Sequence, residues 1–363
     1  MLSLSVLLQS TSQPPRGSGP FDWINDIASG PPGRKVQLEA KTYLIDRQYQ
    51  LPPGTELRGV GTSPSHRTVI KAVGVAYSAC AGAATSKPGL VQGRRGLLLG
   101  DDTFVGGIHL IGMETKRLDC LYAPIETPGC LNSEGNFASP PDAAACGGHT
   151  GNGGHGVRNA TVVDVTLEPY SWQNLFFMAP TPAGANVSRD VTVRNMRVNG
   201  TWADGVNIHG QHANVLVEGC SVVNSGDDGF ALWSIGTGLS NVTFRHNYAQ
   251  PHPGCNCCYV NFGGLLSTFA DNRGEGCGLT PECGGTLRPG IPPGSQGLVV
   301  FGSPTNKPGL FGGAWNSSSV AIVKNVTGTC ADPRAGCPTC VLLATSMYPN
   351  GFPGTAACLD AWI

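Results

Sequence analysis

RDVTVRNMRVNG at residues 189–200 and ANVLVEGCSVVNSG at residues 213–226 are two copies of one pattern displaced by 24 residues. Aligned, Val191, Val193 and Val198 fall on Val215, Val217 and Val222. Each copy reads as a short β-branched strand, a polar or glycine turn, and a second short strand whose alternate residues suit an inward face. The pattern returns less regularly in NATVVDVTL (159–167), SNVTFRHNYA (240–249) and SVAIVKNVTG (319–328), where loops change the spacing. A unit this small cannot bury its apolar face alone. Stacked in parallel about 4.8 Å apart, successive units close a continuous core and pair their backbone groups between coils. The period is too short for a propeller blade of about 40 residues and lacks the leucine-rich horseshoe signature. The expectation is an all-β chain: a single-stranded, right-handed parallel β-helix with Cys- and Gly-rich loop insertions.

Composition agrees. Glycine, at 52 of 363 residues, is about twice its average share, and charged residues, at 13%, are about half of theirs, which marks a turn-rich β protein rather than a helical one. A net charge of -1 removes the electrostatic case for nucleic acid or an anionic membrane as partner. No run approaches 18 consecutive apolar residues, so no membrane span is expected. Residues 1–20 are read as a truncated signal or an unordered N-terminus, and 21–363 as one β-helix domain. Insertions are placed at about 73–95, 113–154 and 250–295.

Fourteen cysteines in loop-like sequence form an even set, expected to be disulfides, with the CNCC cluster at 255–258 stapling an insertion. Cys337 and Cys340 have the spacing of zinc ligands, but no second pair completes a site, and a redox role for them lacks a βαβ context. N-x-S/T sequons begin at Asn159, Asn186, Asn199, Asn241, Asn316 and Asn325. Together with the cysteines they point to a secreted glycoprotein, although chains rich in Asn, Ser and Thr also acquire sequons by chance.

The same offset of 24 aligns ADGVNIHG (203–210) with GDDGFALWS (226–234). Asp204 falls on Asp228, Asn207 on Ala231, and His209 on Trp233. With Val206, Ile208, Phe230 and Leu232 facing the core, alternation sends Asn207, His209, Ala231 and Trp233 outward. The two aspartates belong in the turn before each strand, since burying them unpaired would be costly. Asp227, adjacent in sequence, projects differently and joins them on the surface. Three carboxyls on neighbouring coils repel, which favours a protonated acid beside an ionised base, the pair that glycosidic cleavage requires. Trp233 offers a flat face for a sugar ring, and Asn207, His209 and Gln173 are further candidates for binding substrate. D-D-G and N-S-G are also ordinary turn sequences, and what singles them out is their alignment on adjacent coils.

The residues Asp204-Gly205-Val206-Asn207 and Gly226-Asp227-Asp228-Gly229-Phe230-Ala231-Leu232-Trp233-Ser234 resemble motifs of the α-1,3-glucanases (mutanases) and mycodextranases, the β-helical glycoside hydrolases of family 87. The match is close over about 160–250 and elsewhere extends only to the general coil pattern. It implies an inverting hydrolase of an α-glucan in which Asp204, Asp227 and Asp228 share the acid and base roles; no cofactor and a monomer are expected. Near the N-terminus, Tyr43, Leu51 and Leu57-Arg58-Gly59 resemble the opening coil of the pectate-lyase-like superfamily. Polygalacturonases are a weaker resemblance, because their later G-H-G and R-I-K motifs have no counterpart. An acidic pectin would also want basic residues nearby, yet between 200 and 270 there is one Arg, Arg245, and no Lys.

Two other classes remain open on the residues alone. A lyase or epimerase would bind Ca²⁺ through the aspartates and use His209, His212, Arg245 or His252 as its base. A non-catalytic carbohydrate-binding or cell-wall β-helix would use the acidic turns structurally.

Overall fold

The computed structural model describes residues 19–73, 96–112, 125–127, 156–168, 176–178, 187–201, 204–209, 212–225, 228–233, 240–251, 258–262, 266–277, 299–302, 320–330, 341–344 and 356–357. Among the described residues the chain circulates through three sheets of nine, ten and ten strands, the first containing Ser188–Arg194, the second Arg197–Thr201 and the third Val206–His209, each circuit adding one strand to each sheet in turn. Pairing between coils is parallel, as in Ser188–Arg194 with His212–Glu218 and Arg197–Thr201 with Ser221–Ser225. The 24-residue repeat is the pairing register itself: Val191 lies against Val215, Val193 against Val217, and Val198 against Val222. Parallel strands joined by crossovers wind right-handed, and the architecture is a right-handed parallel β-helix.

All six valines are buried, and each contributes roughly 1.5–3 kcal/mol relative to exposure. Further along, the interior becomes aromatic. Phe230 stacks on Tyr259 with centroids 5.2 Å apart and meets Phe244 edge-on at 5.6 Å, while Phe244 packs on Phe269 at 5.4 Å. At the N-terminal end, helix Asp22–Ser29 covers what would be an open core. It buries Trp23, Ile24 and Ile27, and the Trp23 indole N–H donates to the Leu44 carbonyl at 2.9 Å. The glycine-rich composition gave no hint of this cap, although apolar residues at 23, 24 and 27 are the helical signal for it.

The corner between the first and second sheets takes two residues. One adopts positive φ, as at Asp164 (53°), Asn195 (53°), His246 (55°), Asp271 (53°) and Asn325 (50°), and the next points inward. Asn and Asp tolerate the left-handed region because their short polar side chains bond locally. Here they also bond between coils: Asn195 Nδ2 donates to Asp164 Oδ1 at 3.1 Å and Asn325 Nδ2 to Asp271 Oδ1 at 2.8 Å. The inward column contains Asn247 and Asn272, whose amides cap the backbone carbonyls of Val217 and Phe244 at 3.0 and 2.9 Å. The Asn247 N–H donates to Asn272 Oδ1 at 2.9 Å, so both buried amides are satisfied.

Positive-φ positions at this corner, as at Asn325, and at the entry to first-sheet strands, as at Asn159 and Asn241, account for several sequons. Asn159, Asn241 and Asn325 each have positive φ, are exposed, and precede a buried residue and then a strand threonine. Asp164-Val165-Thr166 and Asp190-Val191-Thr192 share that form with Asp in place of Asn. These positions themselves generate N-x-T, so these three sequons do not bear independently on secretion. Asn199 is exposed and accepts from Asn224 Nδ2 at 2.9 Å, while Asn186 and Asn316 lie outside the described residues.

Two expectations are corrected. Cys258 and Cys277 are bonded, but Cys220 is free. It follows the Gly219 corner in the same inward column as Met196 and Asn247, where it behaves as a small apolar residue. Burial pushes its thiol up to about 12, and since the thiolate is the nucleophile, Cys220 is expected to resist alkylation in the native protein and react after denaturation. Mass spectrometry after iodoacetamide treatment checks this, and native labelling would contradict the buried position. Second, residues 250–295 are not one insertion. Tyr259–Phe262, Leu266–Ala270 and Arg273–Cys277 complete a circuit within them, and Ile125–Thr127 is a strand inside 113–154. Cysteines and glycines flanking such short strands hide their alternation. Cys337 and Cys340 fall outside the described residues, among which no helix is long and apolar enough to cross a membrane.

Candidate active site

The corner between the second and third sheets carries the aspartates. From strand His66–Ala72 onward its connections are residues 73–95, 112–124, 169–175, 202–205, 226–229, 251–258, 278–298 and 331–340. The two shortest are neighbours on adjacent coils, and they hold Asp204 and Asp228. Each aspartate precedes a glycine and then a strand, Val206–His209 or Phe230–Trp233. The strands pair Val206 with Phe230, Asn207 with Ala231, Ile208 with Leu232 and His209 with Trp233.

The glycines are required by the closeness of the coils. A Cβ on Gly205 would lie 2.3 Å from Val222 Cγ1 and 2.8 Å from the Gly229 carbonyl oxygen, and one on Gly229 would lie 2.7 Å from the Cys258 carbonyl oxygen. The ladder starts at these turns, with the Gly205 N–H donating to the Asp228 carbonyl at 2.9 Å and the Val206 N–H to Gly229 at 3.0 Å.

Asp204 spans two coils. Its Oδ1 accepts the Asp228 backbone N–H at 3.1 Å, and its Oδ2 accepts a short bond from Asn207 Nδ2. Donors on both oxygens suit the ionised carboxylate. Against the expected surface position, Asp204 and Asp228 are only 5% and 6% exposed, so their carboxyls are largely shielded from bulk water.

The expected outward strip needs correction. Val206, Ile208, Phe230 and Leu232 do face the core, but Asn207 is only 5% exposed and Ala231 is fully buried. Alternation sets which way a side chain points and is silent on what covers it. The register brings His209 beside Trp233, while their side chains, together with Asp227, Gln173 and His252, lie outside what is described. Two of the expected alternative bases sit elsewhere. His212 is buried at the start of a first-sheet strand, and Arg245, at the end of another, pairs with Glu218 at 2.7 Å. Among the described residues no cluster of three His, Cys, Asp or Glu could hold a metal.

A second polar group went unread in the sequence. On adjacent second-sheet strands, buried His109 contacts Arg67 Nη1 through Nδ1 at 3.0 Å and Glu168 through Nε2 at 3.1 Å. Burial holds the imidazole below its ordinary value, against the pull of Glu168. That leaves Nε2 as the protonated nitrogen, donating to Glu168 while Nδ1 accepts from Arg67.

Three parallel sheets wound as coils, with two acidic turns stacked at one corner, define a right-handed parallel β-helix. Solved structures of this architecture resemble the chain. The catalytic domain of a glycoside hydrolase family 87 α-1,3-glucanase with one aspartate replaced by alanine, in complex with tetrasaccharides, has a TM-score of 0.56 and 14% identity over 87% of this chain and 44% of that one. The catalytic domain with the adjacent aspartate replaced, also in complex with tetrasaccharides, has a TM-score of 0.50, 14% identity, and coverage of 87% and 45%. The catalytic unit of a thermostable family 87 α-1,3-glucanase from Streptomyces thermodiastaticus strain HF3-3 has a TM-score of 0.50, 17% identity, and coverage of 85% and 43%. At such identities the likeness establishes the fold, and the chain spans less than half the length of those solved chains. No protein-family model and no curated protein matches the sequence.

Proposed function

We propose that the protein is a secreted glycoside hydrolase that cleaves a neutral α-glucan, with an α-1,3-glucan the first candidate, by inversion. The observation that carries this reading is the stacking of Asp204 and Asp228 in register on adjacent coils, both carboxyls shielded from water and one of them held by two N–H donors. A protonated carboxyl can hand its proton to the departing glycosidic oxygen while an ionised one activates water on the opposite face of the sugar. The tetrasaccharide-bound glucanases carry substitutions at two adjacent aspartates, the arrangement found here as Asp227-Asp228. We assign acid and base roles among Asp204, Asp227 and Asp228, and substrate contacts to Trp233, His209, Asn207 and Gln173. A neutral substrate is favoured because the one Arg or Lys between 200 and 270, Arg245, belongs to another sheet and is paired with Glu218. The Cys258–Cys277 disulfide supports an oxidising compartment.

Incubation with α-1,3-glucan, α-1,4-glucan, pectin and alginate tests the proposal. Reducing ends should appear from a neutral α-glucan, with the β-anomer formed first in a proton NMR time course. An ultraviolet-absorbing unsaturated product from a uronate polymer alone would replace this reading with a lyase.

A further inference from the structure

Asn207 lies at a third-sheet position whose partner on the next coil is Ala231. Its side chain is nine-tenths buried, and its Nδ2 is committed to Asp204. The amide orientation follows from chemistry, because an ionised carboxylate accepts only from the NH₂ side. Oδ1 therefore points away from Asp204, is buried, and accepts no hydrogen bond among the described residues. Leaving a buried carbonyl unsatisfied typically costs about 1–3 kcal/mol, so the amide keeps this orientation for the bond that its nitrogen makes to Asp204.

We infer that Asn207 is a positioning residue: its amide nitrogen, donating to Oδ2, holds Asp204 in the ionised form and in one orientation. The inference rests on the glycoside hydrolase reading and deepens it. A calcium ion fits less well, since both Asp204 oxygens already accept N–H donors.

The experiment compares wild type with Asn207→Ala and with Asn207→Leu, which preserves bulk if the alanine variant is poorly folded. In each, ¹³C NMR of aspartate-labelled protein follows the Asp204 carboxyl against pH, with the signal identified from Asp204→Asn, and α-1,3-glucan hydrolysis is measured across the same range. Loss of the donor should move the Asp204 midpoint upward, carry the acid limb of the rate profile with it, and lower kcat by about 10- to 100-fold. An unmoved midpoint overturns the inference whether or not glucan is cleaved. If the midpoint moves but wild type hydrolyses no neutral glucan, the hydrolase reading falls and the positioning of Asp204 by Asn207 stands.

Discussion

Asp228→Asn is expected to remove hydrolysis of the α-glucan, lowering kcat by about 10²- to 10⁴-fold, while the coil stays folded. The substitution keeps the size of the side chain and takes away its capacity to give or take the reacting proton. It leaves in place the Asp228 backbone N–H, which donates to Asp204 Oδ1, and the carbonyl that receives the Gly205 N–H. The turn therefore keeps its contacts between coils, and thermal unfolding should match wild type within a few degrees. Asp204→Asn should behave differently, losing activity and some stability together, because the carboxylate it replaces is the acceptor joining the two coils. Release of reducing sugar beside a melting curve separates the two. Full activity in folded Asp228→Asn would remove the carboxyl pair from the mechanism.

Phe230→Ala should cost about 3–5 kcal/mol of stability, the largest loss expected from one core substitution. Phe230 is fully buried, stacked on Tyr259 and edge-on to Phe244, in an interior where neighbouring coils supply aromatic rings at successive levels. A solenoid cannot readily collapse around a missing ring, because the spacing of the coils is set by the backbone ladder. Phe230 also begins the strand two residues after Asp228, so the same change should loosen the active corner. Phe230→Leu, which restores most of the volume, should lose much less. Urea unfolding gives the difference, and a loss below about 1 kcal/mol for the alanine variant would mean that the interior relaxes more freely than its packing implies.

How much of this was legible beforehand differs from element to element. The coils were, because pairing in a parallel solenoid translates directly into a sequence offset: Val191 lies on Val215 in the chain's own repeat and in the sheet. The aspartate corner was legible for the same reason, with a glycine after each aspartate where neighbouring backbones leave no room for a Cβ. Cys220 was misjudged, since a cysteine count cannot separate a thiol at an inward corner from one in a loop. The circuit inside 250–295 was hidden by its brevity, and the helix Asp22–Ser29 by the β-rich composition around it.

By itself, the order of residues determined the winding, the register, and the meeting of positions 204 and 228, because each follows from a fixed repeat and the two-residue alternation of a strand. Only the tertiary structure decided that Asn207 and Ala231 are covered rather than open to water, that Asn207 grips Asp204, and that the corner asparagines knit the coils together. Those outcomes depend on which atoms of other coils stand opposite a side chain. Periodicity gives the direction in which a residue points, and only packing gives what it meets there.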